Sequence, residues 1–230
     1  MNYYIEALKI HEKLKGKYEI KSKVAIEDLN DLSIAYTPGV AAPCIEISKD
    51  KSQAYKYTSK GNTIAVVTDG SAVLGLGNIG AEAALPVMEG KAILFKRFGG
   101  VNAIPICLRT QNSDEIISII ENIAPSFGGI NLEDISAPRC FEIESELINR
   151  LKIPVFHDDQ HGTAIVTCAA LINALKITGK KLSEVRIVIN GAGAAGCAIM
   201  KMLFALGVKD MAVCDRMGII SESRSEKLSP

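Results

Sequence analysis

The 230-residue sequence predicts an α/β protein with parallel strands in its last third. Short apolar runs, which are typical of buried strands, alternate with longer segments whose apolar residues recur at helical spacing. Alternation of this kind builds a mostly parallel sheet covered by helices. A glycine-rich turn between an apolar strand and an apolar helix, at 191–196, indicates the same class.

The first half of the chain contains two predicted helices and one predicted strand. The opening helix ends near Lys15, and the stretch that follows, with Ala-Tyr-Thr-Pro-Gly at 35–39, is irregular. The run IAVVTDG after Thr63 is apolar and ends in turn residues, so we predict a buried strand there. A helix is predicted from Ala81 to about Phe98, despite its internal proline.

The second half continues the alternation. We predict that the helix at 113–124 begins with Ser113 as its cap, and that the helix after the turn at Gly162-Thr163 ends at Gly179. A domain boundary near residue 160 divides the chain into 1–160 and 161–230. The other predicted segments are strands at 103–109, 153–159, 185–190 and 210–215, a strand end with a turn within 128–135, and helices at 141–151 and 191–208.

Composition and charge exclude several classes of partner. The 26 basic and 26 acidic residues are interspersed and cancel, so no electrostatic surface for nucleic acid or an anionic membrane is expected. No stretch reaches the roughly 18 apolar residues that span a bilayer, and the start of the chain has no apolar signal core. The six cysteines form no CxxC pair. These features predict a cytoplasmic protein with reduced thiols and small-molecule ligands.

The turn at 191–196 has the pattern of a dinucleotide-binding fingerprint, because it follows the strand RIVIN and opens a helix. Gly191 allows the tight turn, Gly193 lets the backbone approach a pyrophosphate, and Gly196 lets the helix pack on the strand. The alternative is a tight turn that binds no ligand. The candidate cofactor-binding residues of the turn are Gly191, Ala192, Gly193, Ala194, Ala195 and Gly196.

The choice between NAD and NADP depends on the end of the next strand. Asp215 lies 19 residues after Gly196, where a carboxylate accepts hydrogen bonds from the adenosine ribose and repels the extra phosphate of NADP. NAD is therefore favoured. NADP stays possible, because the neighbouring Arg216 offers a cation for that phosphate. A second glycine pattern, at 75–80, lacks a following acidic strand end, and we interpret it as a close-packed loop near the active site.

Two carboxylate pairs, Glu133-Asp134 and Asp158-Asp159, follow predicted strands. Oxygen ligands of this kind suit Mg²⁺ or Mn²⁺, although adjacent surface acids are usually only solvated. His157 and His161 flank the second pair at a spacing that would suit zinc on a helix. The turn at Gly162-Thr163 argues against a helix there, and ordinary ring hydrogen bonding is the alternative for both histidines.

Tyr36 and Lys91 are polar residues in otherwise apolar or small-residue surroundings. Burial would lower the pKa of the Lys91 ammonium towards that of a general base. The ordinary alternative for Lys91 is a side chain that lies along an apolar surface with its ammonium in water.

Together, the segments AYTPGVAAPCIEISKD, KGNTIAVVTDGSAVLGLGNIG, PVMEGKAILFK, FGGINLEDI and IPVFHDDQHGTAI resemble the short bacterial and archaeal type of malic enzyme. The resemblance implies an N-terminal α/β substrate and catalytic domain, followed by a partial Rossmann-like dinucleotide-binding domain. It also implies oxidative decarboxylation of L-malate to pyruvate and CO₂, with NAD or NADP and with Mg²⁺ or Mn²⁺. The family continues beyond residue 230, so the dinucleotide-binding domain is expected to be incomplete.

The resemblance assigns roles residue by residue. It makes Tyr36 the general acid and Lys91 the general base on the substrate hydroxyl. It makes Glu133, Asp134 and Asp159 the metal ligands, with Asp158 paired to Lys91. The larger animal enzymes carry an arginine for the substrate carboxylate where this chain has Ser71-Ala72, which leaves Asn78 and the loop backbone as candidates.

A homo-oligomer, most simply a dimer, is expected from the apolar opening helix and from the family. Two alternatives to malate oxidation stay open. One is a dehydrogenase of another small hydroxy acid. The other is a catalytically silent metal-binding, ligand-binding or assembly module.

Overall fold

The first part of the chain is built on a four-stranded parallel sheet in the order β2-β1-β3-β4. This is a computed structural model, and it describes residues 2–73, 75–222 and 224. Within the sheet, Ala65 pairs with Ile104 on one side and with Ile130 on the other. The strands are β1 (Thr63–Thr68), β2 (Asn102–Cys107), β3 (Gly129–Leu132) and β4 (Val155–His157).

Helices cover both faces of this sheet, which is why its central strands β1 and β3 are buried along nearly their whole length. Successive side chains of a strand point to opposite faces. Val66 packs with Met88 and Ala92 on one face, whereas Ala65 and Val67 pack on the other. The helices of this part are α5 (Ala81–Leu94), α6 (Ser113–Ile123) and α7 (Arg139–Arg150), with α5 continued by a π-helical turn at Phe95–Gly99.

A second sheet, in the order β5-β6-β7, contains the glycine-rich turn. β5 (Arg186–Asn190) and β6 (Asp210–Asp215) are parallel, as predicted, and β7 (Gly218–Ile219) is an antiparallel addition that was not predicted. Helices α8 (Asp158–Thr178) and α9 (Ala194–Ala205) pack on this sheet. Cys168, Ile189 and Leu203 are buried between them. The predicted α/β class is confirmed.

One predicted helix cap and one predicted helix start are wrong. Asn112, not Ser113, caps α6, because its side-chain oxygen accepts a hydrogen bond from the backbone N–H of Glu115 at 3.0 Å. Helix α8 begins at Asp158, four residues before the predicted turn. Acidic residues in a first helical turn are stabilised by the helix dipole, which outweighs the helix-breaking tendency of the later glycine. Residue 160, where we placed the domain boundary, therefore lies within a helix.

Among the described residues, helix α8 is the segment that comes nearest to a membrane-spanning helix. By length and composition alone, this 21-residue helix is apolar enough to cross a membrane. A core helix of a globular domain meets the same criterion. α8 begins with two aspartates, and it packs on α9 and β4.

Residues 3–57 form a segment that we call the N-terminal arm. It contains α1 (Tyr3–Leu14), α2 (Leu29–Ala35), α3 (Ala41–Lys49) and α4 (Ala54–Tyr57), and none of these four helices has a buried residue. Two hydrogen bonds join the arm to α5: the backbone N–H of Lys17 donates to Glu89, and its ammonium donates to the Pro86 carbonyl. Large apolar side chains of the arm are exposed, including Tyr4 at 86% and Leu8 at 73%.

Candidate active site at the carboxyl ends of the parallel strands

Acidic residues follow three of the four strands of the first sheet. Asp69 comes directly after β1, Glu133 and Asp134 after β3, and Asp158 and Asp159 after β4. Because the strands are parallel, their carboxyl ends meet at one edge, which is where ligands bind in sheets of this kind. We call this edge, with its five carboxylates, the acidic edge.

The structure brings the three predicted metal ligands together. One carboxylate oxygen from each of Glu133, Asp134 and Asp159 lies within 4.8 Å of the others. Glu133 and Asp134 are buried, and Asp159 is partly exposed. Asp134 also adopts a left-handed backbone conformation, with φ of 54°, which is costly for a residue other than glycine and is common at functional sites. A set of oxygen ligands this close fits Mg²⁺ or Mn²⁺.

Lys91 lies beside this cluster. Its ammonium nitrogen is 3.0 Å from Glu133 Oε1 and donates a hydrogen bond to Asp158 Oδ2. The Lys91 side chain is only 20% exposed, so it is not a lysine that extends into water. The structure therefore joins the predicted base, the predicted ligand Glu133 and the predicted partner Asp158 in one ionic group.

The predicted direction of the Lys91 pKa shift is wrong. Burial does lower the pKa of Lys91, but the hydrogen bond that Lys91 donates to Asp158 and the charge of Glu133 outweigh it, so the pKa is raised above its usual value. Burial raises the pKa of Glu133 to about 7, although Lys91 opposes that shift. The sequence showed an isolated lysine, whereas the fold supplies two carboxylates from distant segments.

A second charged network, which sequence reasoning missed, holds the glycine-rich loop at 70–80. Asp69 is fully buried, and one carboxylate oxygen is 2.7 Å from the Arg139 guanidinium. The other oxygen accepts hydrogen bonds from the backbone N–H and hydroxyl of Ser71. The N–H of Ala72 donates to the Asp134 carbonyl at 3.0 Å, which ties the loop to the candidate metal ligands. A charged residue directly after a buried strand was the available signal for Asp69.

The prediction of a close-packed loop at 75–80 is wrong, because a side-chain carbon added at any of its three glycines would meet nothing within 4 Å. The loop is tight at its base instead. A side chain on Gly70 would come within 2.2 Å of the Gly80 carbonyl oxygen. Asn78 exchanges two hydrogen bonds with the side chain of Gln111, at 3.0 and 3.1 Å. Its amide is therefore already engaged, and the assignment of Asn78 to the substrate carboxylate stays a prediction.

The two histidines do not form a zinc site with their neighbours. Among the residues that the structure describes, the acidic trio is the metal-competent cluster, and it contains no histidine. His161 Nε2 lies 2.8 Å from Glu144 Oε1, which agrees with ordinary ring hydrogen bonding. The His157 ring is fully buried without a hydrogen bond to either nitrogen, and it lies 3.7 Å from Asp159 Oδ2. Burial lowers the pKa of His157.

Tyr36 is not part of this group of contacts. It follows α2 in the N-terminal arm and is 66% exposed, contrary to the apolar surroundings that its neighbours indicated. None of the hydrogen bonds between described residues joins its hydroxyl to Lys91 or to the acidic edge. Its role as general acid stays a prediction.

The dinucleotide turn has the expected backbone. Gly191 has φ of 127°, which favours glycine, and Gly193 immediately precedes α9. A side chain on Gly196 would lie 1.8 Å from the Gly191 carbonyl oxygen, so the helix reaches the turn only because this residue is glycine. Positions 191 and 193 face open space, which leaves room for a ligand beside the backbone.

Asp215 ends β6, as predicted, but its charge is not isolated. One carboxylate oxygen accepts the N–H of Met217 at 2.8 Å, and the other is 3.0 Å from the Arg224 guanidinium. These contacts, with the Met217 N–H first, lower the pKa of Asp215. Arg224 was missed because it follows the strand by nine residues. Its cation weakens the electrostatic argument for NAD over NADP.

These features define the class: an α/β protein that joins a carboxylate-lined strand edge to part of a dinucleotide-binding domain. The model of the malic enzyme N-terminal domain matches residues 15–114 and 109–148, and the model of the malic enzyme NAD-binding domain matches residues 160–228. The chain belongs to the malic enzyme family.

Relatives of known sequence and structure agree with this assignment. A bifunctional malic/malolactic enzyme of Bacillus subtilis is 59% identical over 95% of the chain, and an NAD-dependent malic enzyme of Geobacillus stearothermophilus is 60% identical over 89%. The crystal structure of an NAD-dependent malic enzyme from Thermotoga maritima superposes with a TM-score of 0.92 at 55% identity and covers 94% of the chain. The chain spans 53%, 43% and 58% of the lengths of these three proteins, respectively.

Proposed function

We propose that this chain supplies the catalytic centre and the adenosine end of the cofactor site for the oxidative decarboxylation of L-malate to pyruvate and CO₂. One observation carries the proposal. A partly buried lysine contacts a carboxylate of a three-carboxylate cluster, at the carboxyl edge of a parallel sheet, in a chain that also contains a dinucleotide turn. Similarity to NAD- and NADP-dependent malic enzymes supports it.

In the proposed mechanism, Lys91 accepts the proton of the malate C2 hydroxyl. The lysine must first be neutral, and Asp158, already hydrogen-bonded to it, is placed to take the proton. Glu133 is both a partner of Lys91 and a proposed metal ligand. A cation bound to Glu133 would partly neutralise the charge of that carboxylate. The charge of Glu133 would then raise the pKa of Lys91 less.

Glu133, Asp134 and Asp159 would hold Mg²⁺ or Mn²⁺, which polarises the substrate oxygens, while NAD or NADP accepts the hydride from C2. After CO₂ is lost, C3 of the resulting enolate needs a proton. We propose that the Tyr36 hydroxyl donates it.

A homodimer would account for the N-terminal arm. Tyr4, Leu8 and Ile34 expose 86%, 73% and 67% of their surface, and exposed apolar area of this kind marks interaction sites. Covering the arm would also restrict where Tyr36 can lie. Sedimentation velocity tests the proposal: the wild-type chain should sediment as a dimer, and Leu8→Glu with Ile34→Glu should sediment as a monomer. A monomeric wild-type chain would contradict it.

A spectrophotometric assay tests the activity. Purified protein is mixed with L-malate, Mn²⁺ and either NAD or NADP, and reduced cofactor is followed by its near-ultraviolet absorbance. We expect cofactor reduction that a chelator abolishes, with malate preferred over other small hydroxy acids. Reduction that survives the chelator would contradict the proposed metal role, and a preference for another hydroxy acid would replace malate as the substrate.

One observation favours a second candidate, a catalytically silent metal-binding or assembly module: the proposed general acid, Tyr36, is 66% exposed, and no hydrogen bond between described residues joins it to the acidic edge. Calorimetry separates the two candidates. Binding of Mn²⁺ without any heat from NAD or NADP would favour the module.

The six free cysteines agree with a reducing compartment, and we propose a cytoplasmic location.

A further inference from the structure

Glu144 is a buried carboxylate that the proposed mechanism does not use. It lies on α7 and is 6% exposed. Its neighbours Ile143 and Leu147 belong to the hydrophobic core that packs against β1. A buried carboxylate is costly unless several donors satisfy it. All three of the donors that satisfy Glu144 come from the beginning of α8.

These donors bracket the two functional aspartates. The backbone N–H of His157 donates to Glu144 Oε1 at 2.8 Å. The Gln160 amide donates to Oε2 at 3.0 Å, and His161 Nε2 lies 2.8 Å from Oε1. Asp158 and Asp159 lie between these attachment points, so the carboxylate holds the chain on both sides of them.

The residue before α8, His157, makes no side-chain cap to the helix, so Glu144 supplies from another helix the anchoring that a cap would give. The Asp158 carboxylate lies over Gly162, where an added side-chain carbon would come within 2.7 Å of Oδ1. Asp158 is thus held above a position that has no side chain.

We infer that Glu144 is a positioning residue that fixes the first turn of α8 and thereby aims Asp159 at the cation site and Asp158 at Lys91. This inference rests on the proposed function, because it takes Asp159 as a metal ligand. Groups that orient metal ligands typically contribute about 10- to 100-fold to metal affinity. A purely structural Glu144 would affect stability and leave the affinity of the folded protein unchanged.

Binding of Mn²⁺, followed by the electron paramagnetic resonance signal of the free ion, tests the inference without relying on activity. Glu144→Leu removes the acceptor for all three donors, whereas Glu144→Gln keeps a hydrogen-bonding group of similar shape. Leu147→Ala is the matched control, because it weakens the same helix in the core without touching the turn. Circular dichroism selects a temperature at which every variant is folded.

We expect Glu144→Leu to weaken Mn²⁺ binding by about 10- to 100-fold, Glu144→Gln to restore most of the affinity, and Leu147→Ala to bind like wild type. Equal affinities in wild type and Glu144→Leu would overturn the inference. So would an equal loss in Leu147→Ala. Failure of the wild-type protein to bind Mn²⁺ would instead contradict the proposed function.

A less disruptive variant keeps the test valid if Glu144→Leu does not fold. His161 is 38% exposed at its side chain, and His161→Leu removes one of the three donors while Glu144 stays in place. We expect a smaller loss, several-fold, in Mn²⁺ affinity. Wild-type affinity in His161→Leu would overturn the inference in that case.

Discussion

The two candidate sites of this protein differ in the groups that form them: buried charged side chains form the acidic edge, and glycine backbone forms the dinucleotide turn. At the acidic edge, Asp69, Glu133 and Asp134 are at most 5% exposed, and charged side chains from several helices hold the surrounding groups. At the dinucleotide turn, Gly191 and Gly193 have open space where a side chain would stand. The neighbouring strand β5 is itself open, with Val188 at 69% exposure.

This difference shows how each site depends on the rest of the molecule. A site built from buried charges exists only when distant segments have packed, since each charge needs its partner. A site built from backbone N–H groups and a helix end is specified locally, by a few glycines. We therefore expect the acidic edge to be most sensitive to substitutions that change charge, and the dinucleotide turn to be most sensitive to substitutions that add side-chain volume.

The largest expected effect is on the rate, from Lys91. In a form of the protein that turns over malate, Lys91→Ala should lower kcat by about 10²- to 10⁴-fold, because it removes the proposed base. Initial rates at saturating malate measure the change. Lys96→Ala is the control, since Lys96 is an exposed lysine that hydrogen-bonds to Asn102. Near-normal turnover in Lys91→Ala would remove the role that we assign.

The second prediction concerns shape at the turn. Gly196→Ala places a carbon 1.8 Å from the Gly191 carbonyl oxygen, so the strand and helix must separate. We expect a loss of about 1–3 kcal/mol in the free energy of unfolding, as in other overpacked contacts. Gly193→Ala, which meets open space, should keep the stability of wild type but weaken NAD binding. Denaturant titration and calorimetry measure the two effects, and equal stability of both variants would contradict the contrast.

The smallest effect concerns the pH dependence of stability at the acidic edge. Burial raises the pKa of Glu133 from 4.5 to about 7, so between these values the folded state holds a proton that the unfolded state has lost. The stability of the metal-free protein should therefore fall as the pH rises through this window. Thermal unfolding across the pH range measures it, with Glu133→Gln as the control that lacks this contribution.

Mn²⁺ should oppose that loss, because the cation stabilises the ionised carboxylate. Its stabilising effect should thus be larger at pH 8 than at pH 5. An unchanged pH slope in Glu133→Gln would show that other groups produce the dependence.

The sequence predicted those parts of the fold whose backbone conformation depends on residues that are close together in the chain. The apolar spacing of α6, with Ile116 and Ile120 on its buried face, specifies a helix on its own. The glycines of the turn act within six residues, so their role could be inferred from the local pattern. The predictions that failed, such as the cap of α6 and the start of α8, concern helix ends, where several residues compete.

The sequence by itself determined the strand and helix alternation, the dinucleotide turn and, through several long motifs, the family. Only the tertiary structure decided which charged side chains lie in contact. Lys91 donates a hydrogen bond to Asp158, which lies 67 positions further along the sequence. Arg139 forms an ion pair with Asp69, which lies 70 positions before it. Glu144 shares the buried face of α7 with Ile143 and Leu147, and the residues that hydrogen-bond to its carboxylate come from a different segment, at 157–161. The free energy of a charge depends on burial and on partners that are close in space, and neither is encoded by its neighbours along the chain.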